Sequence, residues 1–241
     1  MATHNTNEIH KMKIALCFSG QARSFEKGYE YHKKNLLDHY DVDTYIHTWK
    51  CDEAEEYIKL YEPVSHLIEE PLDGDFDTKY TAPDMKRHPP RFVVSMFYSM
   101  QKSCELKVKK ELKEKKRYDW VIKSRPDYAL NIVIPFKDCD ENKLYIPNCR
   151  MVPERDFGND QFAWGSSVVM NKRMTVYQNL NHFYDQGVRM VGEDMMKAQL
   201  RMCDLYGKYL EYVNMNNPFP PGEFNGTWHS LIRDDMSNWQ K

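Results

Sequence analysis

Several short polar clusters in this chain consist of residue types that bind charged ligands or move protons. They are Ser19-Gly20-Gln21-Ala22-Arg23, Arg125-Pro126-Asp127, Gly192-Glu193-Asp194 and Gly226-Thr227-Trp228-His229. Arginine pairs with phosphate oxygens, a carboxylate can hold a cation or accept a proton, and a neutral histidine can ligate a metal. These clusters contain the candidate functional residues, and each of them also has an ordinary structural interpretation.

The Ser19–Arg23 cluster follows an apolar run, Met12–Phe18, that is typical of a buried strand. A glycine after a strand lets backbone amides approach an anion, and Arg23 can pair with a diphosphate through two hydrogen bonds. We therefore favour contact with an anionic ligand. The alternative is an ordinary turn between a strand and a helix, with Arg23 on the surface.

The Arg125-Pro126-Asp127 cluster ends a second apolar run that contains Trp120, Val121 and Ile122. Proline removes a backbone donor and ends regular strand pairing, so the cation and the carboxylate come at the carboxyl end of a strand. Ligands of open α/β sheets bind outside those ends. Asp127 is predicted to hold a divalent cation against phosphate oxygens, and the alternative is an ion pair with Arg125.

The Gly192-Glu193-Asp194 cluster opens a helix that is predicted over residues 192–206. In the functional interpretation, Asp194 is a general base that deprotonates an acceptor hydroxyl. In the structural interpretation, the carboxylates only stabilise the positive end of the helix dipole.

Two histidines are also candidates. His229 lies in a polar, glycine-containing tail, where it either ligates a metal or is a surface residue. His47 ends a predicted strand together with Trp49, and it either lines the crevice beyond the strand or packs at the strand end.

The elements that must position these clusters alternate between strands and helices. Strands are predicted at 12–18, 42–49, 64–68, 132–134, 144–146 and 209–213. Two more are predicted, one in the apolar run that ends before Arg125 and one within 161–170 that has a kink at Gly165. Helices are predicted at 25–38, with Ser24 as the cap, and at 52–61, 91–116, 172–184 and 192–206, and 71–90 is predicted to be a loop. The lysine-rich end of helix 91–116 is predicted to be a solvated face, with a phosphate-binding patch as the alternative. The alternation of strands and helices along the chain predicts an α/β protein with a mostly parallel sheet covered by helices.

The overall composition restricts the class of protein. The 241 residues suit one sizeable domain, and the net charge of -2 favours neither nucleic acid nor acidic membranes as partners. The cysteines form no Cys-x-x-Cys pair, and no apolar run approaches the ~20 residues that a membrane span needs. Residues 1–11 lack the apolar region of a secretory signal, so a cytoplasmic location is expected. No Gly-x-Ser-x-Gly, phosphate-loop or Gly-x-Gly-x-x-Gly motif is found.

Taken in order, the clusters resemble those of GT-A-type nucleotide-sugar glycosyltransferases. More narrowly, the chain is similar to small glycosyltransferase-like proteins of large DNA viruses, phages and bacterial polysaccharide loci. These proteins carry Ser-Gly-Gln-x-Arg after the first strand, His-x-Trp at a strand end, and Arg-Pro-Asp at a later strand end. Here the motifs are Ser19–Arg23, His47–Trp49 and Arg125–Asp127, and the resemblance covers most of residues 12–200.

The resemblance implies a GT-A, Rossmann-like fold with a mixed, mostly parallel sheet, in one domain with a nucleotide-binding half (12–130) and an acceptor-binding half (131–241). It implies a hexosyl- or pentosyltransferase that moves a sugar from a nucleoside diphosphate, with UDP as the expected carrier, to a glycan hydroxyl. Mn²⁺ or Mg²⁺ is the implied cofactor, and inversion at the anomeric carbon is the implied outcome. If the source is viral, the implied location is the host cytoplasm.

The resemblance also implies roles for individual residues. Donor binding is assigned to Ser19, Gly20, Gln21, Arg23, His47, Gln101, Arg125 and Asp127, and acceptor binding to Gln161, Trp164 and Gly165. Glu193 and Asp194 are the implied catalytic pair, and Asp127 and His229 are the implied metal ligands. The chain departs from the family pattern at Arg125, where the first carboxylate of Asp-x-Asp is expected.

Two other classes remain open. A transferase that has lost part of its metal motif can serve as a non-catalytic module that binds nucleotide or glycan. A nucleotidyltransferase that makes sugar nucleotides is less favoured, because residues 14–25 contain no lysine for a phosphate loop.

Overall fold

A seven-stranded mixed sheet forms the centre of the protein, whose computed structural model describes residues 12–83, 85–86, 89–147 and 159–213. The strands are β1 (Lys13–Ser19), β2 (Asp41–Trp49), β3 (Ser65–Glu69), β4 (Trp120–Ser124), β5 (Leu144–Pro147), β6 (Ala163–Gly165) and β7 (Leu210–Val213). Their order across the sheet is β3-β2-β1-β4-β6-β5-β7, and β6 runs antiparallel to both of its neighbours while the other pairs are parallel. The predicted α/β fold class is confirmed.

Helices cover both faces of this sheet. They are α1 (Phe25–His32), α2 (Ala54–Tyr61), α3 (Phe76–Lys79), α4 (Pro90–Glu114), α5 (Ser167–Arg173), α6 (Leu180–Asp185) and α7 (Gly192–Met202). Side chains alternate along β1, so Ala15 and Cys17 pack with α4 and α7, whereas Leu16 and Phe18 pack with α1 and α2. Burial on both faces explains why β1 is a continuous apolar run.

The chain reverses direction across the sheet between β1 and β4. The first connections lead from β1 outward to β2 and β3, and α4 then returns the chain to β4 on the other side of β1. The register places Ser19 of β1 beside His47 of β2, and Phe18 beside Ser124 of β4. The carboxyl ends of β1 and β4 therefore flank the switch point at which open α/β sheets bind ligands.

Some predicted elements are wrong. Residues 132–134 form no strand, and the predicted strand within 161–170 ends at Gly165, after which α5 begins. Helix α1 ends at His32 and continues as a π-helical turn over Lys33–Leu37. Ser24 does stand at the N-cap of α1, as predicted, but it has a positive φ of 47° and its side chain makes no capping hydrogen bond.

The lysine-rich end of α4 is solvated only in part. The Lys107 side chain is buried, and its Nζ donates to Glu111 Oε2 (2.9 Å), Ser167 Oγ (2.8 Å) and Asn171 Oδ1 (2.6 Å). Glu111 Oε1 accepts from the Tyr118 amide at 3.0 Å, which connects α4 to the segment entering β4. Lys107 therefore joins α4 to α5 through a satisfied buried network, and it is not part of the exposed face.

No helix in the described part of the chain is long and apolar enough to cross a membrane.

Candidate functional site

The loops that follow β1 and β4 meet at the switch point. The Arg23 Nε lies 3.5 Å from Asp127 Oδ2, which joins the two motifs that the sequence places about a hundred residues apart. Arg23 follows a turn in which Gly20 has a φ of 112°, a conformation that side-chain-bearing residues rarely adopt. The structure thus brings the Ser19–Arg23 and Arg125–Asp127 clusters together at one edge of the sheet.

Asp127 is held by a bidentate ion pair with Arg125. Arg125 Nε donates to Asp127 Oδ1 at 2.8 Å, and Arg125 Nη2 donates to Oδ2 at 2.6 Å. The Asp127 side chain is 1% exposed, whereas those of Arg125 and Arg23 are 21% and 53% exposed. The Arg23 side chain is therefore largely exposed, the Arg125 side chain is partly exposed, and the carboxylate is buried.

The described residues do not form a cation site at Asp127. Both of its oxygens already accept hydrogen bonds from Arg125 and the side chain is 1% exposed, so a cation would have to compete with that guanidinium for a buried carboxylate. His229 lies outside the described residues. Within the described ranges, no group of three or more His, Cys, Asp or Glu side chains has an arrangement that could hold a metal ion. Metal binding by Asp127 and His229 stays a prediction.

The Arg125–Asp127 segment rests directly on helix α1. A Cβ atom added at Gly28 would overlap the Pro126 carbonyl oxygen and would lie 3.8 Å from Asp127 Cα. Only glycine therefore lets the α1 backbone approach the segment this closely. Gly28 is a determinant of the site that the sequence did not reveal, because its importance depends on a contact between distant parts of the chain.

We expect Gly28→Ala to lower the free energy of unfolding by about 1–3 kcal/mol, since overpacking against backbone outweighs the ~1 kcal/mol that alanine gains in a helix. Urea denaturation measures this loss. Glu30→Ala on the exposed side of α1 is the matched control and should change stability by less than about 0.5 kcal/mol. A Gly28→Ala protein as stable as the wild type would contradict the close approach.

A second carboxylate, Asp160, lies beside the start of α7. A Cβ atom at Gly192 would come within 2.7 Å of Asp160 Oδ2 and 3.0 Å of Met96 Cε, so the absent side chain makes room for the carboxylate. The charge of Asp160 acts on both Arg125 and Glu193, raising the pKa of each of these groups. Asp160 therefore lies within electrostatic range of Arg125 and of Glu193, and nothing in the sequence distinguishes it beyond its being an acid near β6.

The two predicted catalytic carboxylates differ in their surroundings. Burial, and then the nearby charge of Asp160, raise the pKa of Glu193 from 4.5 to about 7. Asp194 instead pairs with the exposed Arg189, whose Nε lies 2.5 Å from Asp194 Oδ2. A carboxyl group with a pKa near neutrality exchanges protons readily at pH 7, so Glu193 is the better proton acceptor of the two.

Buried basic side chains fix the segment that carries Asp160. Lys123 of β4 donates to the carbonyl oxygens of Asp160 (2.5 Å) and Gln161 (3.0 Å), and Arg173 donates to that of Asn159 at 2.5 Å. Burial lowers the pKa of Lys123 well below its usual value. These contacts hold residues 159–161 against β4, where their backbone positions the Asp160 side chain.

The other predicted donor-binding residues are placed less directly. Ser19 is buried at the end of β1, and the Gly20 amide donates to Ser99 Oγ at 2.8 Å. Gln21 is exposed in the turn. The Gln101 Nε2 donates to Glu105 Oε1 at 3.0 Å along α4. His47 is completely buried, so it packs at the strand end and does not line an open crevice.

The predicted acceptor-binding residues are mostly internal. Trp164 is 1% exposed and stacks on Tyr145 with ring centroids 5.3 Å apart. Gly165 is packed so closely that a Cβ atom would lie 3.0 Å from Val169 Cγ1. Gln161 is partly exposed and accepts from Lys123 through its carbonyl oxygen. Trp164 and Gly165 are thus core positions in this fold, and neither offers a surface to an acceptor.

Comparisons with known proteins complete the description. No family model matches the chain, and no curated protein matches it. Among solved structures, the glycosyltransferase GlyE of Streptococcus pneumoniae TIGR4 is similar, with a TM-score of 0.42 and 14% sequence identity. The match covers 85% of this chain and 46% of that one, so the chain spans about half the length of GlyE.

Proposed function

We propose that this protein is a glycosyltransferase that binds a nucleoside diphosphate sugar at the β1–β4 switch point. The observation that carries the proposal is the pairing of Arg23 and Arg125 around the buried Asp127, at the edge of the sheet where the strand order reverses. Guanidinium groups match the planar oxygens of phosphates, and this edge is where open α/β sheets bind ligands. The sequence motifs that resemble those of GT-A enzymes supply the reaction class.

Arg23 and Arg125 are the proposed diphosphate-binding groups. Charge develops on the leaving phosphate as the bond to the sugar breaks, and positive groups fixed beforehand at that position stabilise it. Both carboxylate oxygens of Asp127 bind the Arg125 guanidinium, so this planar group is already oriented before the ligand binds. UDP remains the expected carrier, and the sugar is left open.

Glu193 is the proposed proton acceptor for the attacking hydroxyl. Its raised pKa of about 7 suits a general base, and the Asp194–Arg189 ion pair makes Asp194 the weaker candidate. The charge of Asp160 acts on both Arg125 and Glu193, which supports a proposed base close to the proposed donor site. A base that assists direct attack implies inversion at the anomeric carbon, and a product with retained configuration would contradict this role.

A thermal-shift panel of nucleoside diphosphates and their sugar conjugates tests the proposal, with parallel samples in Mn²⁺, Mg²⁺ and EDTA. At a ligand concentration a hundred times Kd, stabilisation of ~2.7 kcal/mol should raise Tm by roughly 5–10 °C. The EDTA samples decide whether the arginine pair binds diphosphate without a metal. Failure of every nucleotide to raise Tm would overturn the proposal.

Turnover separates the enzyme from a non-catalytic module of the same fold. The glycosyltransferase should release nucleoside diphosphate from at least one sugar nucleotide, slowly with water and faster with a glycan acceptor. Glu193→Gln should retain nucleotide binding and lose this release. Binding without release in any metal condition would favour the module.

A further inference from the structure

We propose that Glu69, His47 and Ser99 form a hydrogen-bonded relay that holds the Gly20 turn in its ligand-binding conformation. His47 is then a positioning residue that acts on the donor site through Ser99, and it does not touch the donor. The proposal rests on the proposed function only in identifying the Gly20 turn as part of a diphosphate site. The relay itself is a structural arrangement that can be tested without any ligand.

The relay crosses the carboxyl ends of three neighbouring strands. Glu69 ends β3 and lies beside Trp49 in the register, while His47 of β2 lies beside Ser19, the last residue of β1. His47 Nε2 is 2.8 Å from Glu69 Oε2, and His47 Nδ1 is 2.8 Å from Ser99 Oγ. Ser99 comes from α4 and also accepts from the Gly20 amide at 2.8 Å.

The chemistry of the groups assigns a direction to the protons. Burial lowers the pKa of His47, even though the hydrogen bond to Glu69 acts in the opposite sense, so the imidazole is neutral at pH 7. The Glu69 carboxylate can only accept, so Nε2 carries the ring hydrogen and Nδ1 accepts from the Ser99 hydroxyl. The Ser99 oxygen is then left to accept from the Gly20 amide. The Ser99 hydroxyl also lies 3.4 Å from the His47 carbonyl oxygen, a longer contact than the 2.8 Å one to Nδ1.

The relay is buried except at its outer end. His47 and Ser99 are completely buried, whereas the Glu69 side chain is 32% exposed and also accepts from Tyr98 Oη at 3.2 Å. A buried donor that loses its acceptor costs about 1–3 kcal/mol, so each inner member constrains the next. The hydrogen bond to Ser99 constrains the backbone at Gly20, whose φ of 112° directs the chain toward Arg23.

This arrangement explains why a histidine motif at the end of β2 accompanies the glycine turn after β1. The two motifs adjoin where Ser19 pairs with His47 in the sheet, but the His47 side chain reaches the Gly20 amide only through Ser99, a serine on a helix that the motifs do not include. It also changes the interpretation of the Gly20 amide. That amide already donates to Ser99, so Gly20 contributes by shaping the turn and not by donating to an anion.

Ser99→Ala tests the relay, and Ser103→Ala is the matched control. Ser103 is also buried on α4, and its hydroxyl donates to the Met100 carbonyl at 2.9 Å outside the relay. Hydrogen exchange of the Gly20 amide, followed by NMR, should accelerate roughly tenfold or more in Ser99→Ala and remain unchanged in Ser103→Ala. UDP affinity, measured by calorimetry, should fall roughly tenfold in Ser99→Ala only.

Two further variants act at the exposed end of the relay, where folding is least at risk. Glu69→Ala should accelerate Gly20 exchange, whereas Glu69→Gln retains an oxygen that accepts from Nε2 and should preserve protection.

Unchanged Gly20 exchange in Ser99→Ala would overturn the relay, whether or not any nucleotide binds. Faster exchange with unchanged UDP affinity would overturn its role at the donor site. A wild-type protein that binds no nucleotide would overturn the proposed function, while the exchange data would still decide the relay.

Discussion

Replacing Arg125 with Met is expected to lower the free energy of unfolding by about 3–5 kcal/mol, because the Asp127 carboxylate stays buried without its bidentate partner. The Arg23 guanidinium at 3.5 Å can offset only part of this loss, since its side chain is 53% exposed and its attraction is screened by water. Nucleoside diphosphate affinity should fall by about tenfold to a hundredfold, the range for losing a charge-assisted hydrogen bond. Urea denaturation and calorimetry measure the two effects.

A double variant separates the structural role of Arg125 from its role in binding. Arg125→Met combined with Asp127→Leu removes both charges, so stability should recover most of the way to wild type. Nucleotide affinity should not recover, because the guanidinium is still absent. Arg125→Lys should regain part of the stability and little of the affinity, since a lysine lacks the planar fork.

Arg91→Met is the matched control for these variants. Arg91 forms an ion pair with Asp77 on the surface, so its loss should cost about 0–1 kcal/mol and leave nucleotide affinity unchanged. An Arg125→Met protein that behaves like Arg91→Met in both measurements would show that Arg125 neither neutralises Asp127 nor binds diphosphate.

The central sheet could be predicted from the sequence because its parallel strands are buried on both faces. Such strands appear as unbroken apolar runs, as in β1 and β4, and helices separate them in the β-α-β order. The prediction failed at residues 132–134, where Ile134 is fully buried beside Phe136 without pairing to a neighbouring strand. Within this run only Ile134 is buried, whereas Val133 is 41% exposed, so a run of three apolar residues establishes neither burial of the whole segment nor strand pairing.

The site was predictable only where its residues adjoin strand ends. The Ser19–Arg23 and Arg125–Asp127 clusters could be placed at one edge because parallel strands bring their carboxyl ends together. Gly28, Ser99 and Asp160 could not be found this way, because each matters through a contact with a distant segment. Lys107 had a local signal, since Glu111 lies one helical turn further along α4, but the spacing alone does not distinguish a buried pair from a surface one.

Protonation of Glu193 should make the stability of the protein depend on pH. The pKa of Glu193 is raised to about 7 in the folded protein, first by burial and then by Asp160, against an ordinary value of 4.5. The folded state therefore binds a proton more tightly than the unfolded state does. The resulting stabilisation is fully present below about pH 4.5 and is lost as the pH rises through about 7. The loss across that window should be about 2–3 kcal/mol.

Glu193→Gln should remove this part of the pH dependence, because glutamine mimics the protonated carboxyl group at every pH. The variant should match wild type near pH 4.5 and exceed its stability by about 2–3 kcal/mol at pH 8, as measured by urea denaturation at a series of pH values. Asp160→Asn should move the wild-type transition toward lower pH, by removing the neighbouring like charge.

Asp194→Asn is the comparison on the same turn of α7: the charge of Asp194 also raises the pKa of Glu193, but less than that of Asp160, so this variant should move the transition less than Asp160→Asn does. The same protonation governs activity if Glu193 accepts the proton of the attacking hydroxyl. The rate of the wild-type enzyme should then rise with pH through about 7, as Glu193 becomes ionised. A Glu193→Gln protein with a stability profile parallel to that of wild type between pH 4.5 and 8 would exclude a raised pKa at this position. That result would also remove the main reason for preferring Glu193 over Asp194 as the base.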